Sequence, residues 1–166
     1  MQVLLFCSSN AIAQQCDSSR PLSIHADDFV FSVDGSVINL ESGLTWMRCA
    51  IGQKWQDGTC VGKPKRFIWT EALKQGAVFN QRSFSGKRNW RLPGLVEIAG
   101  IVERQCTNPR INAELFPRTP SGVFWTSNHK KSNKQSKAFA MDFSESGLQL
   151  LPQNSFAYIR LVSGRD

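Results

Sequence analysis

The chain has 166 residues, of which 41% are hydrophobic, with eleven Phe and five Trp but one Tyr. This composition excludes a disordered chain, and the length fits one domain that buries roughly two-thirds of its unfolded surface without a metal. The formal net charge of +7 indicates an acidic partner.

The first residues have the pattern of a secretory signal peptide. An apolar run over residues 3–7 precedes the small-x-small tripeptide Ala11-Ile12-Ala13, which predicts cleavage after Ala13. The run is too short to span a bilayer, and the basic residues that usually precede it are missing, which suits a signal that begins upstream of Met1. Two alternatives remain open: the disordered N-terminus of a cytosolic protein, and a lipid anchor on Cys7 or Cys16.

We therefore expect three parts: a signal peptide over residues 1–13, an N-terminal segment over 14–27 tied by Cys16, and a single domain over 28–166. Residues 1–13 carry no charge, so the whole positive charge belongs to the exported part. Outside the inner membrane the acidic polymers are lipopolysaccharide, anionic glycans and sulfated polysaccharides. The expected partner is therefore an anionic polysaccharide or another cell-envelope component, with no nucleic acid and no transmembrane segment.

Cleavage after Ala13 leaves four cysteines, Cys16, Cys49, Cys60 and Cys106. Four cysteines allow three pairings, and the sequence does not choose among them. A polar, glycine-bearing loop separates Cys49 from Cys60, which favours a local disulfide worth about 3 kcal/mol; Cys16 would then pair with Cys106. A zinc site is the rival, but no two cysteines have CxxC spacing, and His25 and His129 lie far away.

In the first half of the chain the patterns predict a hairpin, a strand and a helix. Residues 29–33 and 36–40 flank Asp34-Gly35, a signal for a two-residue hairpin turn. A strand over 43–49 would end at the loop between Cys49 and Cys60. Residues 69–80 read as an amphipathic helix with Thr70 as N-cap and with Ala72, Leu73, Ala77 and Phe79 as apolar positions.

In the second half a short strand over 90–93 precedes a second helix, which runs from Leu95 to Cys106. Short apolar or alternating runs then predict four strands, over 123–126, 138–143, 148–151 and 158–162. Helices and short strands together indicate an α+β fold.

A series of short motifs occurs in one order between about residues 28 and 162. They are Gly43-Leu44-x-Trp46-x-Arg48-Cys49, Cys60, Trp69-Thr70-Glu71-Ala72-Leu73, Asn89-Trp90-Arg91-Leu92-Pro93, Asn108-Pro109-x-Ile111-Asn112, Phe116-Pro117, Phe124-Trp125-Thr126-Ser127 and Tyr158-x-Arg160-Leu161-Val162. This series resembles the bacterial domain family named after the C-terminal domain of the Legionella collagen-like adhesin (Lcl).

The resemblance implies an α+β fold of the C-type-lectin-like kind, related to the formylglycine-generating-enzyme fold. It also implies an exported protein and, from the adhesin itself, a trimer that binds sulfated glycosaminoglycans. The motif side chains nevertheless favour structural roles. We expect core packing for Trp46, Trp69, Trp90 and Trp125, hydrogen bonds from Arg91 and Arg160 to a carboxylate or to loop carbonyls, and turns fixed by Pro93, Pro109 and Pro117.

The segment 128–137 departs from the family, whose members commonly have Ser, Tyr and Asn there. It carries four lysines and no acid, and long loops between the last strands usually form the binding face of a lectin-like fold. The candidate sites for an anionic glycan are Lys130, Lys131, Lys134 and Lys137, with His129 adding a pH response. The alternative is a solubilising loop without a ligand.

No motif in the chain indicates catalysis, a cofactor or a metal site. Calcium needs several converging oxygen ligands, and neither a Glu-Pro-Asn nor a Gln-Pro-Asp tripeptide is present. We therefore predict a non-enzymatic binding or adhesion module. The alternatives are a structural or assembly subunit of the cell envelope that acts by protein–protein contact, and an enzyme whose groups converge only in space.

Overall fold

The computed structural model describes residues 13–131 and 135–164. Its longest strands are the three near the C-terminus, and its helices have four to seven residues. The strands are β1 (Gln15–Cys16), β2 (Phe29–Phe31), β3 (Ser36–Asn39), β4 (Thr45–Met47), β5 (Lys54–Gln56), β6 (Thr59–Val61), β7 (Cys106–Thr107), β8 (Val123–Lys130), β9 (Lys137–Asp142), β10 (Gly147–Pro152) and β11 (Val162–Ser163). The helices are α1 (Trp69–Ala72), α2 (Gln75–Gln81) and α3 (Leu95–Ala99), with 3₁₀ turns at Ala26–Asp28 and Phe84–Gly86.

The strands form small antiparallel sheets. One sheet has the order β11-β4-β3-β2, a second has the order β10-β9-β8, and two-stranded pairs join β5 to β6 and β1 to β7. The fold is therefore a mixed α+β fold of small antiparallel sheets with few helices. No helix in the described ranges is both long enough and apolar enough to cross a bilayer.

The two Asp-Gly dipeptides make different turns. The predicted hairpin around Asp34-Gly35 forms, but its loop has three residues: Ser32 N–H donates to Ser36 O, Gly35 N–H donates to Ser32 O, and Gly35 has φ 88°. The two-residue turn lies instead between β5 and β6, where Asp57 and Gly58 both have positive φ, as the type I′ turn requires. The polar loop predicted between Cys49 and Cys60 is thus largely a hairpin.

Both predicted helices are shorter than the sequence patterns indicate. The first breaks into α1 and α2, and Ile68 rather than Thr70 is the N-cap. The buried positions of this helical region also differ from the predicted ones: Gly76 is buried, while Leu73 and Ala77 are exposed. The second helix ends at Ala99, and Cys106 lies on strand β7. Tertiary contacts therefore set the ends of these helices, and such contacts cannot be inferred from the periodicity of apolar residues.

The core consists of two hydrophobic clusters separated by strands. Along β8, Phe124 belongs to one cluster and Trp125 to the other, and in β4 Trp46 and Met47 divide in the same way. Because successive side chains of a strand point to opposite faces, these strands are buried on both sides. The expected packing role of the tryptophans is confirmed: Trp46, Trp69, Trp90 and Trp125 are all buried.

The predicted strand over 158–162 is mostly an irregular extended segment that bonds to several neighbours. Tyr158 exchanges hydrogen bonds with Val123 and Trp125, and Ile159 and Leu161 accept bonds from Ile51 and Met47. Ladder pairing begins only at Val162, the first residue of β11. The segment thereby links the sheet of β8 to the sheet of β4.

Arg160 lies in this segment and is only 1% exposed. Its Nη1 donates to the carbonyls of Met47 and Arg48, and its Nη2 donates to Thr119 Oγ1 at 2.6 Å. The guanidinium also lies 4.7 Å from the ring centroid of Phe116. The predicted hydrogen bonds to carbonyls are therefore confirmed for Arg160, although one acceptor, Met47 O, is the last carbonyl of β4 and only Arg48 O lies in the following loop.

Two disulfides join the cysteines in the favoured pairing, Cys16 with Cys106 and Cys49 with Cys60. Disulfides are typical of proteins that fold in oxidising compartments. The first disulfide lies between β1 and β7 and attaches the N-terminal segment to the chain after α3.

The carboxylate of Glu103 holds the same N-terminal segment from inside. It is fully buried and accepts hydrogen bonds from the backbone N–H groups of Ser23, Ile24 and Gln105 and from Ser23 Oγ, at 2.8–3.1 Å. Burial alone would raise the pKa of Glu103, but these donors stabilise the carboxylate and the pKa is lowered below its ordinary value.

We expect Glu103→Gln to lower the free energy of unfolding at pH 7 by about 1.5 kcal/mol, since an amide NH₂ group would face backbone N–H donors. The folded-state pKa lies below the unfolded value, so the carboxylate's contribution is present above the unfolded pKa and is lost as pH falls through the folded one. The difference between wild type and variant should therefore shrink on acidification. Denaturant unfolding at neutral and acidic pH measures this difference. The exposed Glu41→Gln is the control, and a difference independent of pH would contradict the role given to Glu103.

Candidate functional site

The predicted lysine loop is a hairpin with charged strand ends. Strand β8 continues to Lys130 and strand β9 begins at Lys137, so three of the candidate residues lie on strands and not in a loop. We call the residues 129–131 and 135–137 the basic hairpin. The predicted site residue Lys134 lies outside the described residues.

Two lysines of the basic hairpin face each other across the strands. Lys130 pairs with Lys137 in the antiparallel register, one step beyond the pair of His129 with Ala138. Directly opposite residues have Cβ atoms about 4.5–5.5 Å apart, and like charges at such positions are destabilising. An anion held between the two ammonium groups would remove this repulsion.

A cavity of about 210 Å³ opens beside this pair. Its described lining combines two ammonium groups, one amide and one aliphatic side chain: Lys130, Lys137, Gln135 and Leu150. No carboxylate belongs to the part of this lining that the structure describes. Lys130 and Lys131 are exposed and Lys137 is half-buried, so packing restricts the stem of Lys137 while the side chains of Lys130 and Lys131 lie in solvent.

His129 does not share a face with the opposed lysines. Its ring lies 5.0 Å from the ring of Trp69, centroid to centroid, and Trp69 is buried with its Nε1 donating to Thr126 O at 2.8 Å. Because Lys130 is the next residue along the strand, its side chain points to the other face. His129 therefore contacts the core side, and the structure does not bring it together with Lys130 and Lys137.

The base of the basic hairpin is fixed to α3. Asn128 Oδ1 accepts a hydrogen bond from Leu95 N–H at 2.7 Å, and Ser127 N–H donates to Pro93 O at 2.9 Å. The start of the helix is held in turn by Glu97, which accepts bonds from Arg91 and from Gly94 N–H.

The pair of Arg91 and Glu97 is bidentate, with both N–O distances 2.8 Å, which confirms the carboxylate partner expected for Arg91. Burial raises the pKa of Glu97, but its bonds to Arg91 and Gly94 more than offset this effect, so the net pKa is lowered. The basic hairpin thus projects from a rigid base.

Sequence analysis missed a second group of side chains, at the β5–β6 hairpin. The guanidinium of Arg48 lies 4.1 Å from the ring centroid of Trp55 and 4.8 Å from that of Phe31. Its Nε and Nη2 donate to the carbonyls of Leu115 and Glu114. Burial lowers the pKa of Arg48, and the Glu114 carboxylate partly offsets the effect. The available signal was Asp57-Gly58, which predicts a hairpin and hence a fixed position for Trp55.

The described residues contain no group of three or more His, Cys, Asp or Glu side chains placed to hold a metal ion. Two arrangements remain that suit ligand binding: the opposed lysines of the basic hairpin and the aromatic group around Trp55. These features define a small, disulfide-bonded α+β domain with a basic surface.

The family model of the Lcl C-terminal domain matches residues 35–163. The chain therefore belongs to the Lcl C-terminal domain family, as the ordered motifs predicted. No curated protein matches this chain.

Proposed function

We propose that this protein is an exported, non-catalytic binding or adhesion module whose basic hairpin binds anionic or sulfated glycans. The observation that supports the proposal best is the opposed pair of Lys130 and Lys137. A like-charged pair at directly opposite positions lowers the stability of the fold when no anion lies between the two side chains. A sulfate or carboxylate group between the two lysines would offset that cost. Membership of the Lcl C-terminal domain family supports an adhesin-related role.

The same proposal includes the fold subclass and the location. A C-type-lectin-like fold agrees with the small antiparallel sheets and the two disulfides. The disulfides also favour a periplasmic, cell-surface or extracellular location. In such a location a protein with a net charge of +7 meets acidic glycans of the envelope or of a host surface.

The lysines are suited to binding a polymer and not a single small anion. Each exposed ion pair contributes about 0–1 kcal/mol and is screened by salt, so one contact alone is weak. A sulfated chain presents repeated charges, and it can contact Lys130, Lys131 and Lys137 at once. The position of these residues on an anchored hairpin reduces the entropy lost on binding.

Retention on a heparin column tests the proposal. We expect the protein to elute above about 0.15 M salt, where nonspecific surface contacts are already strongly screened. The double variant Lys130→Ser/Lys137→Ser should elute well below the wild type, because it loses the opposed pair. A variant that also replaces Lys131 and Lys134 with serine should lose retention further.

The matched control is Lys63→Ser/Lys65→Ser, which removes the same charge from two exposed lysines on the segment between β6 and α1. Equal loss of retention in the two double variants would show that net charge alone binds heparin, and it would contradict a site at the basic hairpin. Elution of the wild type below physiological salt would contradict glycan binding itself.

A second candidate function is a structural or assembly subunit that contacts other envelope proteins. Strand β2 is at an edge of its sheet. Exposed apolar side chains lie on β2 and on the turn between β2 and β3, with Val30 47%, Phe31 42% and Val33 99% exposed. Such a surface suits protein–protein contact. Under this alternative the lysine variants would bind their protein partner as the wild type does.

A further inference from the structure

A second cavity, of about 250 Å³, lies beside the β5–β6 hairpin. Three aromatic side chains form much of its wall, and three polar side chains belong to its lining. The aromatic residues are Trp55, Phe79 and Phe84, and the polar residues are Asp34, Gln53 and Lys54. The cavity is separate from the basic hairpin, since the described parts of the two linings have no residue in common.

The indole of Trp55 is held in place before any ligand binds. Its Nε1 donates to Val33 O at 3.1 Å, and the Arg48 guanidinium lies 4.1 Å from its centroid. At Gly35, a Cβ atom would lie 2.5 Å from Trp55 Cβ and Cγ, so glycine permits this close approach. Of the five tryptophans, Trp55 alone is not buried, and a ligand therefore meets an ordered and partly exposed indole.

Phe84 is held with similar rigidity. Its neighbours Ser83 and Ser85 both have left-handed backbone conformations, with φ 48° and 53°, and its ring packs 5.5 Å from Trp90 and 5.8 Å from Phe79, between centroids. Left-handed conformations of non-glycine residues are strained and occur mostly where surrounding structure enforces them. The aromatic wall is therefore preorganised on both sides.

The charges around the cavity exclude strongly charged ligands. A cation would need the negative face of the indole, but Arg48 already stacks on that ring system and Lys54 lies in the lining. An anion would meet the carboxylate of Asp34. The Glu114 carboxylate partly compensates the charge of Arg48, and in the described lining one acid and one lysine balance, so an uncharged ligand pays the smallest electrostatic cost.

The polar part of the lining excludes a purely apolar ligand. Asp34 Oδ1 already accepts from Ser36, and the Gln53 amide already bonds to Ala50 N–H and Arg118 O. A hydrocarbon ring would still offer no partner to the second carboxylate oxygen of Asp34 or to the Lys54 ammonium, and a polar group left unpaired costs about 1–3 kcal/mol. The fitting ligand therefore combines an apolar ring face with hydroxyl groups that both donate and accept. The volume is below the roughly 300–1,000 Å³ of pockets for drug-sized ligands, which limits the ligand to about one ring.

We propose that this cavity binds one uncharged pyranose unit of a glycan, with the C–H face of the sugar against the aromatic wall and its hydroxyls toward Asp34 and Lys54. The site does not depend on the basic hairpin, because its chemistry selects neutral rings and the hairpin selects anions. A glycan that contains both neutral and sulfated sugars would have features that each site recognises.

Titration of the full chain with neutral methyl glycosides of glucose, galactose, mannose and N-acetylglucosamine tests the proposal. We expect a saturable change of tryptophan emission with at least one of them, because Trp55 is the partly exposed indole. The dissociation constant should be on the order of 1 mM for a ligand of this size. Saturation-transfer NMR on the sugar ring protons provides a second readout that does not depend on the fluorophore.

Two variants and one control make the outcome specific. Lys54→Met removes a hydrogen-bond donor on an exposed side chain and should weaken binding about fivefold, while Trp55→Ala should abolish the NMR signal. Lys74→Met, an exposed lysine outside the cavity, should bind as the wild type does. If Trp55→Ala fails to fold, Lys54→Met decides the test.

Three results would overturn the proposal. They are the absence of a saturable response to any of the four glycosides up to about ten times the expected constant, tighter binding of benzyl alcohol than of every sugar, and displacement of a bound sugar by tetramethylammonium at lower concentration. An unchanged affinity in Lys54→Met would also contradict the assigned site.

Discussion

Arg160→Met is expected to lower the free energy of unfolding by about 3 kcal/mol. The guanidinium donates to two carbonyls at the end of β4 and to Thr119 Oγ1, and methionine leaves these acceptors without those donors in a region that water does not reach. Hydrogen bonds from a charged donor contribute about 1.5–3 kcal/mol each, whereas methionine recovers only the packing of the aliphatic stem. Thermal and denaturant unfolding measure the effect.

The charge itself is costly to bury. Desolvation and, to a smaller extent, the neighbouring Arg48 lower the pKa of Arg160 to about 9, which still leaves the guanidinium protonated at neutral pH. Because the folded-state pKa lies below the unfolded value, the unfolded chain binds more protons in the window between them, and this group's contribution to stability rises with pH there. The hydrogen bonds and the contact with Phe116 must therefore offset a real desolvation cost.

Arg160→Lys separates charge from geometry. Lysine keeps the cation, but its single ammonium group lacks the fork that reaches the Met47 and Arg48 carbonyls on one side and Thr119 on the other. We expect it to destabilise about as much as methionine does. Arg82→Lys, at the exposed end of α2, is the control and should stay within about 0.5 kcal/mol of wild type. A loss below about 1 kcal/mol in Arg160→Met would contradict the role assigned to this residue.

Gly76→Ala should destabilise the protein by a net of about 2 kcal/mol, although alanine is the better helix former. The substitution gains about 1 kcal/mol of helix propensity, but the new Cβ would lie 2.2 Å from Trp90 O and 2.9 Å from Trp90 C. Overpacking of this kind typically costs about 1–3 kcal/mol, occasionally more. Here the opposing atoms are backbone atoms, so relief requires movement of a whole segment.

That segment is held in place. Asn80 accepts a bond from Trp90 N–H at 2.6 Å and donates to Trp90 O at 3.0 Å, which locks residue 90 to the same helix. The matched control is Ala77→Gly, one position away and exposed, which should cost about 1 kcal/mol through propensity alone. If Gly76→Ala proves more stable than wild type in denaturant unfolding, the close approach of α2 to residue 90 is wrong.

The sequence predicted the family and the core side chains better than it predicted the turns and the helix ends. The four motif tryptophans follow from apolar neighbours and motif order, and they are buried as expected. The two Asp-Gly dipeptides show why turns are harder. Both suit a two-residue turn, yet only Asp57-Gly58 makes one, while Gly35 lies against the ring of Trp55. The contact of Gly35 with Trp55, twenty residues further along the chain, cannot be inferred from the dipeptide.

The helices illustrate the same limit. Periodicity alone extends the second helix to Cys106, but the chain leaves the helix after Ala99 because Glu103 turns inward to bond the N-terminal segment. Likewise the sequence shows the lysines, but only the register of β8 and β9 shows that Lys130 lies directly opposite Lys137. The cavity beside Trp55 was missed because its lining comes from segments that are distant in sequence.

The disulfide between Cys16 and Cys106 determines how the domain would carry mechanical load. A pull applied between the residues ahead of Cys16 and the basic hairpin would pass from residue 16 through the sulfur atoms directly to residue 106, across a sequence separation of 90. The sheet of β2, β3 and β4 and all three helices lie within the bypassed part of the chain. They are therefore shielded from tension, and the covalent path takes the strain before any of their hydrogen bonds do.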